Sequence, residues 1–270
     1  MSEITTGVYH DLSNEDYHGI KEINGKPAVS SSYAKAWHKQ TPAHANADRP
    51  FKSNPIFDIG TATHGWALEG VVPVKGPPTR RGNDWKTAQA EADLAETVAL
   101  TESDFNRVER MVEELHNNEH IARFLNHPKK VVEASIFAEH PSGLVMKCRP
   151  DLYVESLGIV IDLKTTVSAE PYAFEKQAWA LGYSSVQAAW YLKTMQLLEI
   201  PVNRFIFANV EKEEPYATSM VEVGPELMAL ANETVERVIK EIIEAKKTNT
   251  YATGWPDLHV AQPPAWLTLD

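Results

Sequence analysis

The chain has 270 residues, 43% of them hydrophobic, and a formal net charge of −11. That length suffices for one large core or two small ones, and no apolar run approaches the ~20 residues of a membrane-crossing helix. The single cysteine, Cys148, excludes an internal disulfide and disfavours a zinc cluster. Met1-Ser2-Glu3-Ile4 has neither the basic region nor the apolar core of an export signal, so the expected compartment is the cytoplasm.

In chain order, residues 7–30 read as loop-rich. Ser30-Ser31-Ser32 offers a cap for a helix through Tyr33 to Lys39, with Trp37 toward the core. Gln40 to Pro55, rich in Pro, Ala and Asn, reads as a loop. A helix from about Asp58 to Glu69 carries His64; a lone helical histidine is more often a packed polar residue than a ligand. Residues 71–86 hold Pro73, Pro77, Pro78 and Gly82 around Arg80 and Arg81, the pattern of an exposed loop. Arginines there are either simply solvated or phosphate contacts, for which the guanidinium is the better-suited cation. Helices follow from Lys86 to Ala99 and from Glu102 to Asn117, with Met111 and Leu115 in the core.

The middle of the chain is the most informative. Val131 to Phe137 reads as a strand carrying Glu133, and Leu144 to Tyr153 as its hairpin partner, turned by His140-Pro141-Ser142-Gly143. Cys148 is expected to pack in that second strand rather than to react. Gly158 to Lys164, mostly apolar and β-branched, reads as a buried strand. Alternation puts Asp162 and Lys164 on one face, with Ile161 and Leu163 on the other. An isolated Asp-x-Lys is ordinarily a surface ion pair. Here, three successive strands would each bring one acid: Glu133, Asp151 and Asp162. Like charges about 4 Å apart repel by roughly 4 kcal/mol at an effective dielectric of 20. Such a cluster is unfavourable alone and favourable around Mg²⁺ or Mn²⁺, which prefer oxygen ligands.

Downstream, Pro171 opens a helix that Gly182 interrupts. Ser184 or Ser185 is expected to cap the next one, which runs to about Leu198 and places Gln187 and Tyr191 on one face. Strands from Arg204 to Val210 and from Tyr216 to Val223 extend the sheet. A helix from Pro225 to Lys246 covers it, burying Leu227, Leu230, Val235, Val238, Ile242 and Ala245. Trp255 to Asp270, with Pro256, Pro263, Pro264 and Trp266, reads as a docked, loop-like tail. The expected organisation is one domain over 1–270: a loop-rich and helical part to 130, a catalytic sheet core over 131–250, and the tail from 251.

The negative charge opposes tight DNA binding through bulk attraction. Many of the acids fall on helix faces expected to be solvated, such as Glu91 to Glu96 and Glu233 to Glu244. Local basic groups exist: Lys21, Lys26, Lys35, His38 and Lys39, then Arg80, Arg81 and Lys86.

Arg149-Pro150-Asp151 followed by Asp162-Leu163-Lys164 resembles the PD-(D/E)xK nuclease superfamily. Within it, the chain resembles the RecE-type exodeoxyribonucleases through Gly7 to His18, Asp58 to His64, Arg80-Arg81, Cys148 to Asp151 and Asp162 to Thr166. The similarity runs in order from near residue 7 to Trp255-Pro256. Asp-x-Lys alone is a weak motif; the ordered set is specific. The resemblance implies an α/β fold with a single mixed central β-sheet flanked by helices and metal ligands at one end of neighbouring strands. It implies Mg²⁺, with Mn²⁺ able to substitute, held by Asp151 and Asp162 with Glu133, the carbonyl of Leu163, and His64 of a Gly-x-x-x-His pattern. Lys164 would orient water or stabilise charge on the phosphate. Gln187 and Tyr191 match the Gln-x-x-x-Tyr pattern of RecB-like members, and Arg80, Arg81 and Lys86 would contact DNA. The activity implied is digestion of one strand from the 5′ end of linear double-stranded DNA, leaving 3′ single strands for an annealing partner of the RecT type. A ring-shaped homo-oligomer, with a tetramer favoured, would enclose the substrate. The alternatives are a restriction-type or CRISPR-associated nuclease and a catalytically silent DNA-binding recombination protein. The single cysteine opposes an iron–sulfur member, which needs a set of them.

Overall fold

The structure, a computed structural model, describes residues 4–47, 55–258 and 260–261. Pro263, Pro264 and Trp266 of the expected tail lie outside the described residues. The N-terminal segment expected to be loop-rich holds β1 (Gly7–Tyr9), α1 (Asn14–Gly19), β2 (Glu22–Ile23) and β3 (Lys26–Ser30). These strands are too short for alternation to announce them; β1 and β3 pair with the distant strands Ser135–Glu139 and Val145–Cys148, and β2 pairs with β3. Ser30 caps α2 (Ser31–Lys39), accepting from the Tyr33 N–H. The stretch read as a loop after Gln40 contains α3 (Pro42–Asn46), capped by Thr41. Helix α4 (Pro55–His64) continues into one π-helical turn, Gly65–Glu69, ended by Gly70 in the left-handed region.

Next come β4 (Val74–Lys75), α5 (Gly82–Leu94), β5 (Ala99–Leu100), α6 (Glu102–Asn117) and α7 (Glu119–Leu125). Helix α5 begins earlier than the expected Lys86. The central strands are β6 (Lys130–Val132), β7 (Ser135–Glu139), β8 (Val145–Cys148), β9 (Leu152–Val154) and β10 (Ile159–Thr166). The chain then forms α8 (Pro171–Ala180), a second π-helical turn at Tyr183–Gln187, α9 (Ala188–Gln196), β11 (Arg204–Glu211), β12 (Thr218–Glu222) and α10 (Pro225–Thr248).

The expected α/β class, with mixed sheets flanked by helices, is what the chain adopts. The expected single sheet is instead divided into two of five strands, ordered β1-β7-β8-β3-β2 and β12-β11-β10-β9-β6, with β4 and β5 as a separate pair. The division has a local cause. The long strands expected at 131–137 and 144–153 are each broken. Glu133 sits at φ +52, a left-handed conformation that no strand uses. Pro150 offers no N–H to a ladder. Consequently β6 pairs with β9 beside β10, while β7 pairs with β8 and β1.

Strands β10 and β11 run parallel from Ile159↔Arg204 to Thr166↔Glu211, and their alternating side chains feed two cores. Val160, Phe205 and Phe207 pack with Trp190 of α9 and Val235 and Val238 of α10. Ile161, Leu163, Ile206 and Ala208 pack with Met111 and Leu115 of α6. Each such large apolar side chain contributes about 1.5–3 kcal/mol. Asp162, only 1% exposed, interrupts the first of these faces.

Two smaller expectations are corrected. On α10, Leu230 is 54% exposed and Ala231 is buried in its stead, because 231, 235, 238, 242 and 245 form the helical stripe. Ser184 and Ser185 do not cap α9. They are buried inside the π turn, which follows Gly182 at φ +79 without a side-chain cap. Cys148 is buried, and burial pushes its thiol well up, the packed state expected of it. Among the described residues no helix is long and apolar enough to cross a membrane.

Candidate active site

The acids converge where the long strands break. From β10, Asp162 and Lys164 project on one face as alternation requires, and they form an ion pair. Gln187 Nε2 donates to Asp162 Oδ2 at 2.6 Å, so both carboxylate oxygens are engaged. Asp151 immediately precedes β9, and its Oδ2 accepts the Leu163 N–H at 2.7 Å, which pins the carboxylate against β10. His64, the last residue of α4, brings Nδ1 to 3.7 Å from Asp151 Oδ2. The left-handed turn at Glu133 directs its Oε2 to Arg149 Nε, 2.8 Å away. Arg149 is fixed in turn by the Leu12 carbonyl at 2.9 Å and Ser135 Oγ at 3.1 Å. One ligand atom from each of His64, Glu133 and Asp151 lies within 4.8 Å of the others.

Burial raises the Asp151 carboxyl, and the neighbouring Asp162 adds to it; His64, Lys164 and the Leu163 N–H oppose. Glu133 is also raised, by burial and then by Asp151, against the pull of Arg149. Burial draws Lys164 down, but Asp162 and Asp151 together outweigh it and the net displacement is upward. Burial, then Asp162, raises the Tyr191 hydroxyl, which stays protonated. A buried carboxyl and a half-buried one, both raised by burial and by a neighbouring acid, with an imidazole alongside, are a donor set that a divalent cation such as Mg²⁺ or Mn²⁺ fits. Asp162 is outside that convergent trio and serves Lys164 and Gln187. Leu163 contributes its N–H to Asp151.

Lys35 is a site residue that the sequence counts only as one of several basic groups. Its Nζ donates to Gln187 Oε1 at 2.9 Å, across 152 residues of chain, and burial, then Lys164, draws its pKa down to about 8. Lys35 and Lys164 place their ammonium groups 4.8 and 4.7 Å from the centroid of the same Tyr183 ring. Nothing in the sequence pairs α2 with the π turn, so no local signal points to Lys35.

The three expected DNA contacts are not alike. Arg80 is held by Asp58 at 2.5 Å and Asp104 at 3.5 Å, and its guanidinium lies 5.2 Å from the Trp85 ring centroid. Arg81 and Lys86 are exposed on α5 and the turn before it.

No curated protein matches the sequence. The solved structure of a candidate exonuclease from Eubacterium rectale is 15% identical, covers 94% of this chain and 96% of its own, and has a TM-score of 0.65, which shows a shared fold. A phage-related exonuclease from Haemophilus somnus 129PT is 12% identical over 80% of this chain and 95% of its own, at a TM-score of 0.33. A PDDEXK-like domain of unknown function, DUF3799, matches residues 30–254, a span that includes every acid of the cluster together with His64 and Lys164. The chain therefore belongs to the DUF3799 family of PDDEXK-like domains and has a nuclease-type PD-(D/E)xK fold.

Proposed function

We propose that the chain is a metal-dependent exodeoxyribonuclease acting on linear double-stranded DNA, of the kind the RecE resemblance implies. The observation that carries this reading is the convergence of His64, Glu133 and Asp151 beside the Asp162–Lys164 pair. His64, Glu133 and Asp151 would hold Mg²⁺ or Mn²⁺, with Asp162 and the Leu163 carbonyl as further ligands. Once bound, the ion lowers the pKa of a water and offsets charge on the phosphate oxygens. Lys164, held by Asp162, orients the attacking water or donates from Nζ to a non-bridging phosphate oxygen. Lys35 occupies Gln187 Oε1, so the amide must turn Nε2 toward Asp162 and fix that carboxylate. Tyr191 keeps a protonated hydroxyl beside the same acid.

The finer properties rest on the resemblance and on charge. Digestion from the 5′ end would leave 3′ single strands for an annealing protein of the RecT type. A net charge of −11 favours enclosing DNA over gripping it, hence a ring-shaped homo-oligomer, with a tetramer favoured, built from one domain over 1–270. End-labelled linear DNA and closed circular DNA, each with Mg²⁺ and with EDTA, test the reading. The expected result is metal-dependent loss of linear DNA, 5′ label first, with circles intact. Cut circles would favour a restriction-type endonuclease instead, and inert linear DNA would defeat the proposal. A sedimentation monomer that digests long duplexes without dissociating would refute the ring.

A further inference from the structure

Leading out from the acid cluster, two short rows of side chains face each other with a regularity that the hydrolytic site does not require. On α2, Lys35 and Lys39 are four residues apart, so they share a helix face and are separated by about 6 Å of rise. Opposite them are Trp179, near the end of α8, and Tyr183, which opens the π turn. Lys35 Nζ lies 4.8 Å from the Tyr183 ring centroid, and Lys39 Nζ lies 5.4 Å from that of Trp179. The inner end of the array is the buried Asp162–Lys164 pair, which shares the Tyr183 ring. The outer end is open: Trp179 is 42% exposed, and on the same helix Tyr172 is 73% exposed.

Two features suggest a ligand here. Lys35 has a neutral amide as its hydrogen-bond partner, and Lys39 has a ring face, so the ammonium groups retain capacity for an anion. An exposed indole with a cation on its face presents the pairing that a nucleic-acid strand satisfies, with phosphates on the cations and a base stacked on the ring. The array is also continuous with the site, running from buried lysine to exposed tryptophan. The complementary charge and that continuity select one occupant, a single DNA strand led to Lys164.

We propose that Lys35, Lys39, Tyr183 and Trp179 form a single-strand track, in which the lysines take successive phosphates of the strand being cut and Trp179 stacks on one of its bases. The proposal deepens the exonuclease reading and rests on it for the identity of the strand.

The test measures binding of a 5′-fluorescein-labelled oligothymidylate by anisotropy in EDTA over a series of salt concentrations. Wild type, Trp179→Ala, Trp179→Phe, Lys39→Ala and Lys39→Arg are compared, with thermal midpoints and Mn²⁺-dependent cleavage read in parallel. Trp179→Ala should weaken binding about tenfold, the equivalent of roughly 1.4 kcal/mol, with an unchanged salt slope. Trp179→Phe should stay close to wild type. Lys39→Ala should reduce the salt slope by about 0.7, the single-strand value for one phosphate contact, and Lys39→Arg should restore it. Unchanged affinity and slope in both alanine variants overturn the track. So does weakened binding that neither conservative variant rescues, which marks a merely structural role. Normal wild-type cleavage with unaltered binding in the alanine variants defeats the track and leaves the nuclease reading standing. An inert wild type whose binding depends on Trp179 and Lys39 defeats the nuclease reading and leaves the track.

Discussion

Asp162 and Glu133 bring the same charge to one site, yet their surroundings give them opposite energetic roles. Asp162 is paired with Lys164 and Gln187, so Asp162→Ala leaves a buried ammonium without its counter-charge. Loss of one member of a buried pair costs roughly 3–5 kcal/mol, and urea denaturation of the metal-free variant should show a fall of that order together with lost cleavage. Glu133 instead is raised by burial and then by Asp151, and Asp151 by burial and then by Asp162. A raised folded-state carboxyl binds more protons than the unfolded one, so its contribution is full at low pH. It is lost as pH climbs from the ordinary carboxylate range, about 4, through the folded value. Metal-free protein should therefore lose stability with rising pH in that window. Glu133→Gln should flatten the dependence; an unchanged pH profile in that variant contradicts the assignment. The arginines divide similarly. Arg80→Ala breaks contacts to Asp58 and Asp104 and should cost roughly 1.5–3 kcal/mol. Arg81→Ala should stay within about 0.5 kcal/mol. If Arg81 contacts a phosphate, its loss lowers the salt slope of duplex binding by about 0.9.

At the scale of elements, the π turn between α8 and α9 places three groups together. It buries Gln187 toward Asp162, sets Tyr183 beneath two lysines, and is entered through Gly182. That glycine has φ +79, and a Cβ there would meet the Lys35 Cγ at 3.1 Å. Alanine is thus disfavoured by backbone conformation and by the lysine stem together. Gly182→Ala should cost about 1–3 kcal/mol and slow cleavage by displacing Lys35 from Gln187. Gly19→Ala, in α1 with nothing within 4 Å of the added Cβ, is the neutral comparison. Thermal midpoints and cleavage rates of the two variants check it, and equal behaviour would show that the turn does not position Lys35.

For the whole molecule, folding confines like charges that ion binding would relieve, so cation binding and stability must be linked. A cation that binds only the folded state adds about 2.7 kcal/mol at a hundred times its dissociation constant. Mn²⁺ should raise the thermal midpoint, and EDTA should reverse the shift. The shift should shrink as the carboxylates protonate at low pH. Asp151→Asn should abolish it. Lys164→Ala should lose cleavage and keep the Mn²⁺ shift, since its amine serves water and phosphate. A loss of Mn²⁺ stabilisation as large as in Asp151→Asn would defeat that division of labour. The same Mn²⁺ shift in Asp151→Asn as in wild type would remove Asp151 from the metal site.

The sequence by itself determined the α/β class, the face shared by Asp162 and Lys164, the hairpin at His140 to Gly143, the helix bearing His64, and most of the stripe on α10. All of these follow from periodicity and turn chemistry within about ten residues. Only the tertiary structure decided that the long strands break at Glu133 and Pro150 and divide the sheet, that residues 7–30 supply strands, and that Arg80 is held by acids. It alone brought Lys35 to Gln187. A left-handed residue inside an apolar run leaves no pattern that a strand would lack. A two- or three-residue strand exists only through its partner, and a contact across 152 residues has no local cause at all. Local sequence fixes which face a side chain occupies; the meeting of faces is decided by packing of the two cores on either side of β10 and β11.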